Sequence, residues 1–105
     1  MIEMTESDEL RIADNADAQR YEAHLGDRLA GFSQYHLRPG RVVFYHTVVA
    51  PEFEGHGVGS RLVRFELDDV RARGLLVTPL CPFVRAWIGR HAEYADLVEP
   101  EPAAG

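Results

Sequence analysis

At 105 residues the chain suits one domain, and its 46% hydrophobic and 27% charged residues are ordinary for a globular protein. A net charge of −6 weighs against nucleic acid or an anionic membrane as a partner and leans toward a cationic or amine one. All 11 basic residues are Arg and Cys81 is the lone cysteine, which excludes a lysine nucleophile, an intrachain disulfide and a cysteine-rich zinc site.

The acidic opening "MIEMTESDEL" lacks the apolar stretch of a signal peptide. No apolar run reaches the ~18 residues of a spanning helix, so a cytoplasmic location is expected. Residues 1–105 are expected to form one domain, with an ordered core over about 9–98 and solvated ends.

In chain order, "LRIADN" reads as a short strand. "QRYEAHLG" then alternates, with Tyr21, Ala23 and Leu25 on one face. Gly26-Asp27 makes a hairpin turn into a strand over Arg28–Leu37, and Pro39-Gly40 turns the chain again. Arg41–Ala50 is β-branched and aromatic on both faces, as in a central buried strand. After a glycine-rich turn, Val58–Arg73 places Val58, Leu62, Phe65 and Val63, Leu67, Val70 at helical spacing, with Gly74 as the residue past its end. Leu75–Leu80 reads as a buried strand, and Pro82–Arg90 as a short helix with Phe83, Val84, Trp87 and Ile88 on one side. Tyr94–Val98 reads as a last edge strand. The order ββββαβα(β) predicts an α/β (α+β) fold with a mixed, mainly antiparallel sheet and one β-α-β crossover.

The turn "PEFEGHGVGSRLV" sets Gly55, Gly57 and Gly59 on alternate positions between a strand and a helix. The first N–H groups of a helix lack internal acceptors and sit at the positive end of its dipole. Glycines let an anion approach that end, so the amides of His56, Val58 and Ser60, with Gly57 and Gly59, could cradle a pyrophosphate. A vacant tight turn is the other reading. A P-loop needs a Lys, which is absent, and a dinucleotide fingerprint needs Gly where Ser60 stands. The pattern R/Q-x-x-G-x-G/A after a hydrophobic strand and a Pro fits "VVAPEFEGHGVGSRL", with Glu54 in the usual Arg/Gln slot.

At this point the chain resembles the GNAT superfamily of acyl-CoA-dependent N-acetyltransferases. "HTVVAPEFEGHGVGSRLV" followed by "PLCPFVRAWIGRHAEYADLV" is similar to its small single-domain branch. The resemblance implies a GNAT-like fold, acetyl-CoA (coenzyme A) as co-substrate, and an amine acceptor. The acceptor is a small molecule or a protein side chain, and an oligomer is possible. It implies that Glu54, Gly55, His56, Gly57, Val58, Gly59 and Ser60 hold the pyrophosphate. Glu54 contributes by its main-chain N–H, with its side chain turned away. The resemblance further implies that Arg41–Ala50 and Leu75–Leu80 part to admit pantetheine, whose amides bond the backbone of Val48 and Val49. The helices that usually shape the acceptor pocket have no room between Asp14 and Gln19.

Two residues are candidates for the chemistry. His46, placed by alternation on the face of Val42, Phe44 and Val48, is either a core histidine or the base that frees the amine's lone pair. Cys81, as N-cap of the Pro82 helix, has its thiolate favoured by the helix field. It would carry the acetyl group, protonate the departing CoA thiolate, or simply fill space. The resemblance favours the acid or a positioning role. The remaining histidines lack metal-ligand spacing, and no metal is expected. Arg61 and Arg64 could meet the 3′-phosphate of CoA or merely be solvated. An N-acetyltransferase is expected, the alternative being an acyl-CoA-binding or sensing module with little catalysis.

Overall fold

A computed structural model describes residues 9–98. Four antiparallel strands run in sequence: β1 (Leu10–Asn15), β2 (Arg20–Leu25), β3 (Arg28–Arg38) and β4 (Arg41–Val49). A single 3-10 turn, Pro51–Phe53, leads to helix α1 (Val58–Ala72), which crosses back to β5 (Leu76–Pro79), parallel to β4. Helix α2 (Pro82–Gly89) and a 3-10 segment, Ala92–Leu97, follow. The sheet order is β1-β2-β3-β4-β5, and β4-α1-β5 is the one crossover. β1 passes directly to β2, with no helix between them.

Alternation in the strands and the α1 stripe meet in one core. Tyr21, Ala23, Tyr35, Phe44 and Val77 from the sheet are covered by Leu62, Val63, Leu67 and Val70 of α1 and Val84, Trp87 and Ile88 of α2. Both helices therefore lie on this inner face. The outer face carries Arg20, Glu22, Phe32, Gln34, His36, Tyr45 and His46, all partly or fully exposed.

α1 ends in paired reverse bonds: Gly74 N–H donates to Arg71 O at 3.0 Å and Leu75 N–H to Val70 O at 3.1 Å. This is the glycine stop expected at Gly74. Two expectations change. Tyr94–Val98 is no edge strand: residues 92–97 coil as 3-10 helix so that Tyr94 and Leu97 reach the core, and only Val98 bridges to Val77. On α1, Phe65 is 39% exposed while Glu66 is fully buried in its place.

Candidate active site

The three glycines of the turn answer two different demands. Gly55 and Gly57 have φ of +83° and +78°, and a Cβ on either would meet nothing within 4 Å, so backbone conformation alone asks for glycine. Gly59 is helical and buried, and a Cβ there would lie 2.7 Å from Phe83 Cζ. A side chain at Gly59 would therefore have to displace the Phe83 ring.

Glu54 N–H is already donated to Pro51 O at 3.2 Å. The first internal bond of α1 runs from Arg61 N–H to Gly57 O at 3.0 Å. Among the described residues, no carbonyl accepts the N–H of Val58, Gly59 or Ser60. These amides sit beside a cavity of about 420 Å³, to which Glu54, Gly55, Gly57, Val58, Gly59 and Ser60 contribute. Its other walls are Thr47, Val49, Phe53 and Phe83. His56 instead borders a second hollow of about 320 Å³, beside Leu10, Leu25 and Arg61. Trp87 Nε1 donates to Ser60 Oγ at 2.8 Å, tying the start of α1 to α2. Arg64 is spent on Tyr94, whose hydroxyl accepts its guanidinium at 3.1 Å, and on the face of Trp87.

β4 and β5 pair from Arg41↔Leu76 to Phe44↔Pro79, and Cys81 N–H to Phe44 O at 2.9 Å is the last link. Beyond that vertex the β5 side of β4 is open. Ala50 N–H donates to Ala30 O at 2.8 Å, which fixes the alternation of the β3–β4 ladder. Val48 therefore pairs with Phe32, whereas the main-chain groups of Thr47 and Val49 face the open side.

The pairing slips between Gln34 and Tyr35, leaving Tyr45 as an extra residue in β4. That bulge corrects the expected face of His46. Val42 and Phe44 point inward and so do Thr47 and Val49, but His46 and Val48 point outward. His46 is exposed, and its ring meets Phe32 edge-on with centroids 6.4 Å apart. Cys81, 3% exposed, caps α2 with Pro82 following it, and its Sγ donates to Thr47 Oγ1 at 3.3 Å. The two candidate catalytic residues thus lie on opposite faces of β4. Among the described residues, no cluster of three His, Cys, Asp or Glu side chains is placed to hold a metal, and no helix is long and apolar enough to cross a membrane.

The sequence model of the GCN5-related N-acetyl-transferase family matches residues 20–97. The chain belongs to this family. Among solved GCN5-related structures, a GCN5-like protein from Staphylococcus aureus is 19% identical with a TM-score of 0.67, each chain covering 95% of the other. A GNAT-family protein from Desulfovibrio desulfuricans is 26% identical with a TM-score of 0.53, over 72% of this chain and 52% of its own. The ribosomal-protein-S18-alanine N-acetyltransferase of Escherichia coli is 16% identical with a TM-score of 0.55 over 57% of this chain. The present chain spans 39% of that enzyme's length. No curated protein matches the chain.

For this GCN5-related member, sequence reasoning missed Thr47, Phe83 and Glu66. Thr47 was hidden by the bulge. Phe83 was assigned to the core, yet is 41% exposed on the cavity wall. Glu66 had a readable signal: it falls four residues after Leu62, three after Val63 and four before Val70, in the middle of the apolar stripe. A carboxyl at that place is either paired or unusual. Burial pushes the Glu66 carboxyl well above the ordinary carboxylate range; the Ser33 hydroxyl pulls it down and Cys81 adds to the rise.

Proposed function

We propose that residues 1–105 act as one acetyl-CoA-binding domain and transfer the acetyl group to an amine by direct attack. The observation that supports this reading most is the cavity itself. It joins the unpartnered amides at the start of α1 to the open edge of β4, beside the vertex at Cys81. No Arg lines it and Glu54 does, so anion binding there would rest on main-chain N–H groups and the helix dipole. The pyrophosphate would meet Val58, Gly59 and Ser60, and the pantetheine amides would pair with Thr47 and Val49 in preference to Val48.

For the chemistry, the amine must first lose a proton to free its lone pair. His46, on the outer face two residues beyond Phe44, is the base this reading assigns. The amine then forms a C–N bond as the C–S bond breaks, the electron pair stays on the CoA sulfur, and the nitrogen gives a second proton to the base as the amide forms. That thiolate takes a proton from Cys81, whose hydrogen-bond partner Thr47 lines the cavity. Both helices lie on the inner face, so the acceptor would meet an open surface. Such a surface suits an amine on a larger molecule or a site completed by a second copy. The protein amine in the name of the Escherichia coli relative makes peptides a sensible part of any acceptor panel.

The same open surface favours the second reading, an acyl-CoA-binding module with little turnover. Calorimetry with acetyl-CoA, followed by release of the CoA thiol over a panel of amines and peptides, tests both. Binding together with release that His46→Ala and Cys81→Ser abolish supports the transferase. Binding without release from any amine selects the module, and no binding removes both.

A further inference from the structure

Glu66 is fully buried among residues that α1 turns toward the sheet. Its Oε2 accepts from Ser33 Oγ at 3.2 Å, while its Oε1 has no partner among the described residues. Ser33 Oγ lies 3.2 Å from Thr47 Oγ1, and Thr47 Oγ1 accepts from Cys81 Sγ at 3.3 Å. Side chains from α1, β3, β4 and the start of α2 thus form one unbroken line. It runs from the dry core to the vertex where β4 and β5 part.

Each hydroxyl in that line can donate one hydrogen while accepting another. With Glu66 ionised and Cys81 a thiol, every hydrogen points toward Glu66. With Glu66 neutral and Cys81 a thiolate, every hydrogen points the other way. The two arrangements differ by the passage of one proton. Among the described residues, the titratable group that acts on Glu66 is Cys81, and no cation offsets its charge. A buried carboxylate left so is unfavourable, and an apolar side chain would fill the stripe without an orphaned oxygen.

We infer that Glu66 is the proton store of the site, exchanging one proton with Cys81 through Ser33 and Thr47. Its purpose rests on the transferase reading; the exchange itself belongs to the free protein. During transfer, Cys81 gives its proton to the departing CoA thiolate. The Glu66 proton then moves to Ser33, that of Ser33 to Thr47, and that of Thr47 to Cys81, leaving Glu66 ionised. Once CoA has left, solvent returns a proton along the same line. The nitrogen sheds one proton before attack and a second as the amide forms; both pass through the base to solvent and one returns to Glu66, so each ammonium acetylated releases one proton overall. Glu66 touches neither substrate; it is a positioning residue that acts through Cys81.

Because Cys81 is the lone cysteine, the carbon chemical shift of isotopically labelled cysteine reads its protonation alone. If one proton is shared along the line, the Cys81 signal in the free wild-type protein should move in two steps, and in one step in Glu66→Gln. Should Glu66→Gln not fold, Cys81→Ser serves: the infrared carbonyl band of the buried, protonated carboxyl should shift its titration midpoint. In the kinetic arm, Ser33→Ala should lower kcat about tenfold or more with KM for acetyl-CoA unchanged. A single Cys81 step that Glu66→Gln leaves in place, or a carboxyl band indifferent to Cys81→Ser, overturns the proposal. Failure of acetyl-CoA to bind removes the transferase reading and leaves both spectroscopic arms standing.

Discussion

Two polar clusters lie beneath the same face of the sheet, and they follow opposite rules. In one, Tyr21 donates to Asp69 at 2.6 Å and Tyr35 to Asp14 at 2.7 Å. Arg73 stands between the two carboxylates at 3.0 and 3.1 Å. Here a cation bridges the two anions and every hydroxyl has its acceptor, so β1, β2 and β3 are latched to the end of α1. In the other, Cys81, Thr47, Ser33 and Glu66 share hydrogens with no cation and one oxygen left over. The first cluster is finished and serves stability. The second keeps an acid where an apolar group would hold the fold better, which points to a use other than holding it.

The contrast can be broken from either side. The largest effect is expected from Thr47→Val, which removes the hydroxyl at the junction of the second cluster. Its kcat should fall about a hundredfold while calorimetry finds acetyl-CoA affinity unchanged. Asp69→Ala attacks the first cluster. It strands the Tyr21 hydroxyl and should lower unfolding free energy in urea by about 2 kcal/mol, with kcat intact.

The pH dependence of stability separates the clusters next. Burial raises the Glu66 carboxyl, so the folded protein keeps a proton that the unfolded chain sheds from pH 4.5 upward. Stability then falls as pH climbs above 4.5 toward the raised folded-state value, by at most about 1.4 kcal/mol per unit. Glu66→Gln should remove that slope in denaturation series run from pH 4.5 upward. Burial, reinforced by Asp69 and by Asp14 respectively, raises Tyr21 and Tyr35 from 10.0, so their cluster loses stability only above that pH. The smallest change is expected from Tyr35→Phe: a loss of about 1 kcal/mol near neutral pH, with a flatter alkaline limb.

Much of the fold could be read from local pattern. Alternation around Tyr21 and Ala23, the Pro39-Gly40 turn, the stripe from Leu62 to Val70 and the Gly74 stop each name their own element. They do so because each signal is contained within a few residues. The glycine turn was legible as a strand-to-helix turn, with Gly55 and Gly57 at positive φ and Gly59 against the Phe83 ring. What stayed hidden depends on partners distant in sequence. The Tyr45 bulge is a property of the β3–β4 register, and nothing within "VVFYHTVV" announces it. Tyr94–Val98 reads as an extended piece from its apolar content, yet docking Tyr94 and Leu97 into the core asks for a coil. Glu66 was visible as a letter, but its meaning came only with Ser33, Thr47 and Cys81 around it.

The extra residue at Tyr45 has a consequence for anyone editing this chain. Removing Tyr45 alone would restore strict alternation and keep every later facing, with the imidazole still outward and the threonine still inward, because Phe44 and His46 already pair with neighbouring residues of β3. A shortening of one amino acid at this position would therefore keep the thiol in line with its buried acid, and would cost the sheet only the local kink and the Tyr45 ring stacked on His36.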